Sequence, residues 1–356
     1  MSTVPSSEPG AADPALAAPT PERALARLGA SLASLDWAWR CLALTAAYLV
    51  AGYAAAGSIG VPIRWPVAYL ARQAQIVVLI AYLPLVAAFL LDELIGPRAG
   101  ASALRRRLFS LRFAAELALA TLAVHATLLL FVNLKQLVPA FNPRLWDSPL
   151  WRWDARLHLG LEPAADLHRW AGEHGWLDLL DQAYLLFFPA QVAVPLLFLL
   201  SARLRPDRGR FFFAYCLLWM AGSAVYVLWP SLGPVYYRPS RFLWMDQAPY
   251  AQRLQWLLIQ DYARFRADPA YANVKLYYGV AALPSLHVGL LALFAIGTRR
   301  VRALAAALAG LTALTFVGSL ALGWHYAIDG YAGALLALLC WAVAGRATAR
   351  CAAGDA

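Results

Sequence analysis

Residues 325–345 read HYAIDGYAGALLALLCWAVAG, and Asp329 is the one acidic residue in this otherwise apolar stretch. A membrane-spanning α-helix needs about 20 predominantly apolar residues, so the stretch is long enough to cross a bilayer. The whole chain has the same character, because 62% of its residues are hydrophobic and only 14% are charged. Soluble domains carry about 25% charged residues. We therefore predict an all-α, polytopic membrane protein.

Seven further apolar runs precede this stretch, at about 37–56, 73–92, 113–133, 177–201, 211–229, 284–298 and 302–322. Most are long enough to span a bilayer, whereas the run at 284–298 is short. The runs predict a bundle of about eight transmembrane helices. Residues 1–35 are rich in Ala, Pro and Ser, and we expect them to form a disordered tail; residues 346–356 form a second tail.

The distribution of basic residues predicts the orientation of the helices. The net charge of +10 comes from 30 Lys and Arg against 20 Asp and Glu, a balance that would suggest nucleic acid as the partner of a soluble protein. Here the arginines cluster in alternate short loops, around 98–112, 203–210 and 299–302. The positive-inside rule places these loops and both termini in the cytoplasm. The longer loops, about 134–176 and 230–283, then face outward, and the expected partners are membrane lipids rather than nucleic acid.

The last two segments that begin on the outer side each carry a histidine. Pro284-Ser285-Leu286-His287 opens the sixth span, where the unpaired N–H groups of a helix start can bind an anion. Taken alone, this segment also suits an ordinary helix start with an interfacial histidine. His325 and Asp329 are four residues apart, so a helix places them on one face. The carboxylate can hold one ring nitrogen and leave the other as a nucleophile or base, while the plainer alternative is a helix cap.

A third segment supplies cations. Arg238 and Arg241 follow the fifth span in an outer loop, and guanidinium groups suit bidentate phosphate binding. Lys275 lies in the same loop, where a headgroup contact is its more ordinary role. The topology brings these outer segments to one depth, with two helix N-termini facing the same place. The expected site therefore combines an anion pocket, a nucleophile, an orienting acid and a second histidine.

At these residues the sequence resembles the type-2 phosphatidic acid phosphatase superfamily, which also contains the vanadium haloperoxidases. Three motifs characterise that family: Lys, six residues, Arg-Pro; then Pro-Ser-Gly-His; then Ser-Arg, five residues, His, three residues, Asp. Arg238-Pro239 matches the end of the first, with Ser231 in place of the Lys. The segment ending in His287 matches the second, with Leu286 in place of Gly. His325 and Asp329 match the third, with Gly318-Ser319 in place of Ser-Arg.

With these departures, the sequence resembles one branch of the superfamily, which includes the fungal inositol phosphorylceramide synthases and their bacterial relatives. The Asp154-to-Pro163 stretch also has the look of that branch. The resemblance covers about 113–345, which would form a six-helix core. Residues 36–112 would then add two N-terminal transmembrane helices. The resemblance also implies a location in the plasma (inner) membrane of a bacterium.

The resemblance implies a ping-pong phosphotransfer at the extracytoplasmic face. His325 would attack phosphorus to form a phosphohistidine, Asp329 would orient His325, and His287 would protonate the leaving oxygen. Arg238, Ser285 and Arg241 would bind the nonbridging phosphate oxygens. No metal or other cofactor is implied. Water as acceptor would give a lipid phosphatase, and a lipid or polyol hydroxyl would give a headgroup phosphotransferase.

Two other functions fit the same residues. A haloperoxidase is possible chemically, because vanadate and phosphate share a geometry, but the known haloperoxidases of this kind are soluble and eight spans argue against it. A non-catalytic membrane lipid carrier or scaffold could also retain an anion site. Loss of metal-independent phosphate release on substitution of His325 would separate the enzyme from the carrier.

Overall fold

The computed structural model describes residues 35–65, 110–268 and 280–349, and every regular element in these ranges is helical. The longer helices are α1 Asp36–Ser58, α2 Leu111–Phe141, α3 Asp147–Leu157, α4 Pro163–Glu173, α5 Leu177–Tyr184, α6 Phe187–Leu200, α7 Arg208–Leu228, α8 Pro249–Ala267, α9 Leu286–Gly297, α10 Arg302–Ala321 and α11 Ala327–Thr348. The all-α prediction is therefore confirmed for this part of the chain.

Six helical segments of the described ranges are long and apolar enough to cross a membrane: Asp36–Ser58, Leu111–Phe141, Leu177–Leu200, Arg205–Leu228, Arg302–Ala321 and Ala327–Thr348. They indicate an integral membrane protein. The predicted span at 284–298 corresponds to α9, which is apolar but has only 12 residues. The predicted span at 73–92 lies outside the described residues, as do positions 1–34 and 350–356 of the predicted tails. The count of eight spans stays a prediction.

The two long loops of the sequence prediction contain helices of their own. The first loop was expected to begin near residue 134, but α2 continues to Phe141 and passes through Pro139. The helices α3 and α4 follow, and α8 lies within the second loop. These helices carry buried residues on one side and exposed residues on the other, so they form a folded layer at one end of the bundle.

The centre of the bundle is the short helix α9, which packs mainly against α10 and α11 and also against α7. Two glycines let α9 and α11 approach closely, because a Cβ atom on Gly289 would lie 2.9 Å from the carbonyl oxygen of Gly333. Small residues are the usual means by which membrane helices bring their backbones together. The contact places the first turns of α9 and α11 side by side.

The opposite end of the bundle is rich in arginine. Arg208, at the start of α7, forms a buried ion pair with Glu116 of α2 at 2.7 Å. Arg300, just after α9, pairs with Asp207 at 2.6 Å, and the guanidinium of Arg299 lies 5.1 Å from the ring centre of Trp341, near the end of α11. The basic loops around 203–210 and 299–302 therefore meet at one end, and the first turns of α9 and α11 lie at the other.

Candidate active site

The two histidines of the sequence motifs meet at the end of the bundle where α9 and α11 begin. His287 lies in the first turn of α9, and His325 lies two residues before α11. Their ring centres are 6.2 Å apart, and both side chains line one cavity. Their surroundings differ, because the His287 ring packs against Phe187 and Tyr184 at centre distances of 4.3 and 5.1 Å. The structure therefore brings the two imidazoles together, as the topology predicted.

Asp329 lies behind His325, in the first turn of α11, and is fully buried. Its Oδ2 atom is 3.4 Å from Nδ1 of His325, a long hydrogen bond, and accepts the backbone N–H of Tyr326 at 2.9 Å. A proton on Nδ1 of His325 suits this contact, and it leaves Nε2 with a free lone pair. Oδ1 of Asp329 has no hydrogen-bond partner in the ranges that the structure describes. Asp329 can therefore orient His325.

Ser285 joins the two helices rather than facing the cavity. Its backbone N–H donates to the carbonyl oxygen of Asp329 at 2.8 Å, across the contact between α9 and α11. The residue is fully buried, its hydroxyl has no partner among the described residues, and it does not line the cavity. A Cβ atom on Gly333 would collide with the carbonyl oxygen of Ser285. Only a glycine at position 333 allows this approach.

The two predicted phosphate-binding arginines do not line the cavity. Arg238 is exposed, and its guanidinium lies 5.3 Å from the ring centre of Trp151 and 5.6 Å from that of Tyr237. Arg241 is also exposed and pairs with Glu162. Lys275 lies outside the described residues. The structure thus brings together the predicted His-His-Asp group but not the predicted arginines.

Two buried acids on α3, which the sequence prediction did not assign to the site, hold the segment around His325. Asp147 accepts hydrogen bonds from the backbone N–H groups of Leu232 and Gly233 and from the hydroxyl of Tyr326, the last at 2.9 Å. Asp154 accepts the N–H groups of Ala327 and Ile328, each at 3.0 Å. The acids are seven residues apart, a spacing that puts both on one face of a helix. This spacing is the feature of the sequence from which the two acids could have been predicted.

Burial shapes the protonation of these groups. It raises the pKa of Asp147 and of Asp154, although the backbone N–H donors oppose that rise. Burial and the neighbouring Asp147 carboxyl group also raise the pKa of Tyr326, so its hydroxyl stays protonated and can donate. Because Asp154 and Asp329 accept the N–H groups at the start of α11, this helix start is already occupied. It does not offer the second anion-binding N-terminus that the sequence suggested.

The cavity between the histidines and the helices α2, α5, α6, α7 and α8 is mostly apolar. Its volume of about 150 Å³ is enough for a phosphate group and part of an attached chain. The polar side chains at its wall include Lys135, Tyr226 and Gln191, besides the two histidines. Lys135, on α2, was not among the predicted site residues, since it follows the apolar run 113–133 at the start of the predicted outer loop and belongs to no motif. In the described ranges, no group of three or more His, Cys, Asp or Glu side chains is placed to bind a metal ion.

Comparison with known protein families agrees with this geometry. The family model described as PAP2 superfamily matches residues 148–343, more than half of the chain, and the match includes His287, His325 and Asp329. No curated protein and no solved structure matches the chain significantly. The matched region starts in α3, whose acids hold the start of α11, and ends within α11 itself. On the length of this match, the chain belongs to the PAP2 superfamily.

Proposed function

We propose that the protein is a membrane-embedded lipid phosphatase or lipid headgroup phosphotransferase that works through a phosphohistidine on His325. The observation that carries this proposal is the pair of imidazole rings, 6.2 Å apart, at the wall of a largely apolar cavity. Membership of the PAP2 superfamily and the six apolar helices support a membrane phosphatase-type activity. The resemblance to the branch of the inositol phosphorylceramide synthases favours transfer over hydrolysis.

In the first step, Nε2 of His325 attacks phosphorus and a P–N bond forms. The bond between phosphorus and the substrate oxygen breaks, and the leaving oxygen takes a proton from His287. The Asp329 carboxylate, 3.4 Å from Nδ1, stabilises the positive charge that develops on the His325 ring. The leaving alcohol departs with its proton, and His287 becomes neutral.

In the second step, neutral His287 accepts a proton from the incoming hydroxyl group. The oxygen of that group attacks phosphorus, the P–N bond breaks and its electron pair returns to His325. If the donor is a phosphomonoester and the hydroxyl belongs to water, the product is inorganic phosphate. If the hydroxyl belongs to a lipid or polyol, a phosphomonoester donor gives a new phosphomonoester and a phosphodiester donor gives a new phosphodiester.

The apolar cavity favours a lipid substrate. Leu128 and Val132 of α2, and Leu254 and Leu258 of α8, contribute to its wall, and such side chains gain free energy by covering an acyl chain. The polar wall near the histidines suits the phosphate end. The site lies at the end of the bundle opposite the arginine cluster, so the positive-inside rule supports an extracytoplasmic active site.

The decisive experiment measures phosphate release by the purified full chain in detergent micelles. Phosphatidic acid is supplied with a chelator present and with a polyol or lipid acceptor added or omitted. We expect His325→Ala to lower the rate by more than about 100-fold, because the nucleophile is gone. His174→Ala is the matched control and should keep the parent rate, since His174 is exposed and its ring hydrogen-bonds to the carbonyl oxygen of Trp170.

Labelled substrate gives a second readout. The parent should carry an acid-labile, alkali-stable phosphate label after rapid quenching, and His325→Ala should carry none. A His325→Ala protein as active as the parent would sink the proposal. Lipid transport that depends on the chain, without phosphate release by parent or variant, would support the carrier instead.

A further inference from the structure

A lysine side chain lines the cavity, and no described residue pairs with it as an opposite charge. Lys135 belongs to α2, about one and a half turns before the helix ends, and lines the same cavity as His287 and His325. Its ammonium group lies 6.0 Å from the ring centre of Tyr226, another cavity residue. Within the described ranges, Lys135 has neither a hydrogen bond nor an ion pair. The cation is therefore available to a ligand.

Among the described residues, the acid at the cavity wall is Asp181, and it is already engaged. Asp181 accepts the backbone N–H groups of Tyr250 and Ala251 at 2.8 and 3.0 Å, which fixes the start of α8. An ionisable side chain inside a membrane bundle is costly, and by default such a residue has a functional role. A protonated lysine among apolar walls is most easily stabilised by an anion that enters the cavity.

The charge of the proposed substrate calls for such a cation. A phosphate monoester carries a charge of about −1.5 to −2 at neutral pH. Of the two histidines, His325 must be neutral to attack and only His287 can bring a positive charge. Arg238 and Arg241 lie outside the cavity wall, one over aromatic rings and one paired with Glu162. Ser231, where the family's first motif has a lysine, accepts the N–H of Leu283 at 3.1 Å instead.

We infer that Lys135 is the phosphate-binding cation of this site and contacts the nonbridging oxygens of the phosphoryl group bound between His287 and His325. This inference rests on the proposed function and adds a residue that lies outside the family's three motifs. Lysine suits the role as a compact charge with three donors on a flexible stem. It stabilises both the bound phosphate and the charge of the transition state.

The test uses the full chain in detergent micelles and inorganic phosphate as the probe. Phosphate should raise the unfolding temperature of the parent and of Lys135→Arg, which keeps the charge. Neither Lys135→Met nor Lys135→Gln should respond at the same concentration. We expect the inhibition constant for phosphate and the KM for phosphatidic acid to rise about 10- to 100-fold in the neutral variants, in line with loss of one charge-assisted hydrogen bond. Lys135→Arg should recover most of this loss.

Arg144→Met is the matched control, because Arg144 is exposed, follows the same helix and stacks its guanidinium over Trp146. It should leave both constants unchanged. Neutral Lys135 variants with parent phosphate protection and parent KM would overturn the inference while His325→Ala remains inactive, so the proposed function would survive. A parent chain that phosphate does not protect would also overturn it. A third outcome is that phosphate protects the parent but not Lys135→Met, while the parent releases no phosphate from phosphatidic acid. This result would support the anion site and contradict the proposed enzyme.

Discussion

At the residue scale, the two histidines of the site have different neighbours. His325 has a carboxylate behind Nδ1, at 3.4 Å, whereas His287 packs against the rings of Phe187 and Tyr184. A carboxylate partner stabilises the positive charge that a nucleophilic histidine acquires. The aromatic surroundings of His287 provide no such partner in the part of the chain that the structure describes. This difference supports attack by His325 and proton transfer by His287.

The role of His287 as an acid predicts a dependence on the leaving group. His287→Asn should lower kcat/KM for phosphatidic acid by about 100- to 10,000-fold, the usual contribution of a general acid. The loss should be at least tenfold smaller for p-nitrophenyl phosphate, because its leaving oxygen needs no proton. Steady-state kinetics with both substrates checks this, with His174→Asn as the control. An equal loss for both substrates would show that His287 does not act as the acid.

At the element scale, the site depends on the close contact between α9 and α11. The N–H of Ser285 donates to the carbonyl oxygen of Asp329, and Gly289 and Gly333 let the two backbones approach. The start of α11 is fixed from the other side by Asp147 and Asp154 of α3. The positions of His287 and His325 thus follow from how three helices are held together, rather than from either histidine alone.

Gly333→Ala should separate α9 from α11, because the new Cβ atom would collide with the carbonyl oxygen of Ser285. Overpacking of this kind costs about 1–3 kcal/mol. We expect a lower unfolding temperature and a fall in kcat of at least tenfold, measured by thermal unfolding and phosphate release. Gly310→Ala on α10 is the control, since its Cβ atom would meet nothing within 4 Å. Parent activity and stability in Gly333→Ala would contradict the close-contact account.

At the scale of the whole molecule, a layer of helices outside the apolar spans is tied to the bundle by buried polar contacts. His168 of α4 is fully buried, its Nδ1 lies 2.7 Å from the carbonyl oxygen of Ala321, and its Nε2 accepts the N–H of Trp244 at 3.1 Å. The imidazole can make both contacts only when it is neutral, with the proton on Nδ1. Burial lowers the pKa of His168 below its ordinary value of 6.5.

The lowered pKa predicts a loss of stability in acid. A group whose pKa is lower in the folded than in the unfolded state contributes its stabilisation above the unfolded pKa, and this is lost as the pH falls below about 6.5. The unfolding temperature of the parent should therefore drop between pH 7.5 and 5.5. His168→Asn should be less stable at pH 7.5 but show a smaller drop. The control His174→Asn should keep the parent's pH dependence. If His168→Asn showed the same drop in unfolding temperature as the parent, His168 would not be the source of the acid sensitivity.

The sequence alone determined the features that depend on local composition and spacing. Apolar runs predicted the six spans that the described residues contain, and the four-residue spacing predicted the pairing of His325 with Asp329. The motif residues at the starts of α9 and α11 also predicted the superfamily from the sequence. These features follow from neighbours within a turn or a helix length, so no knowledge of the tertiary packing was needed.

Only the tertiary structure decided which cations face the cavity and what holds the start of α11. Arg238 and Arg241 match a phosphate-binding composition but lie outside the cavity, while Lys135, in a predicted loop and without a motif, lines it. Asp154 caps a helix that lies far from it in the chain. The physical reason is that helix rotation and packing set the direction of each side chain, and both arise from long-range contacts that spacing along the chain does not encode.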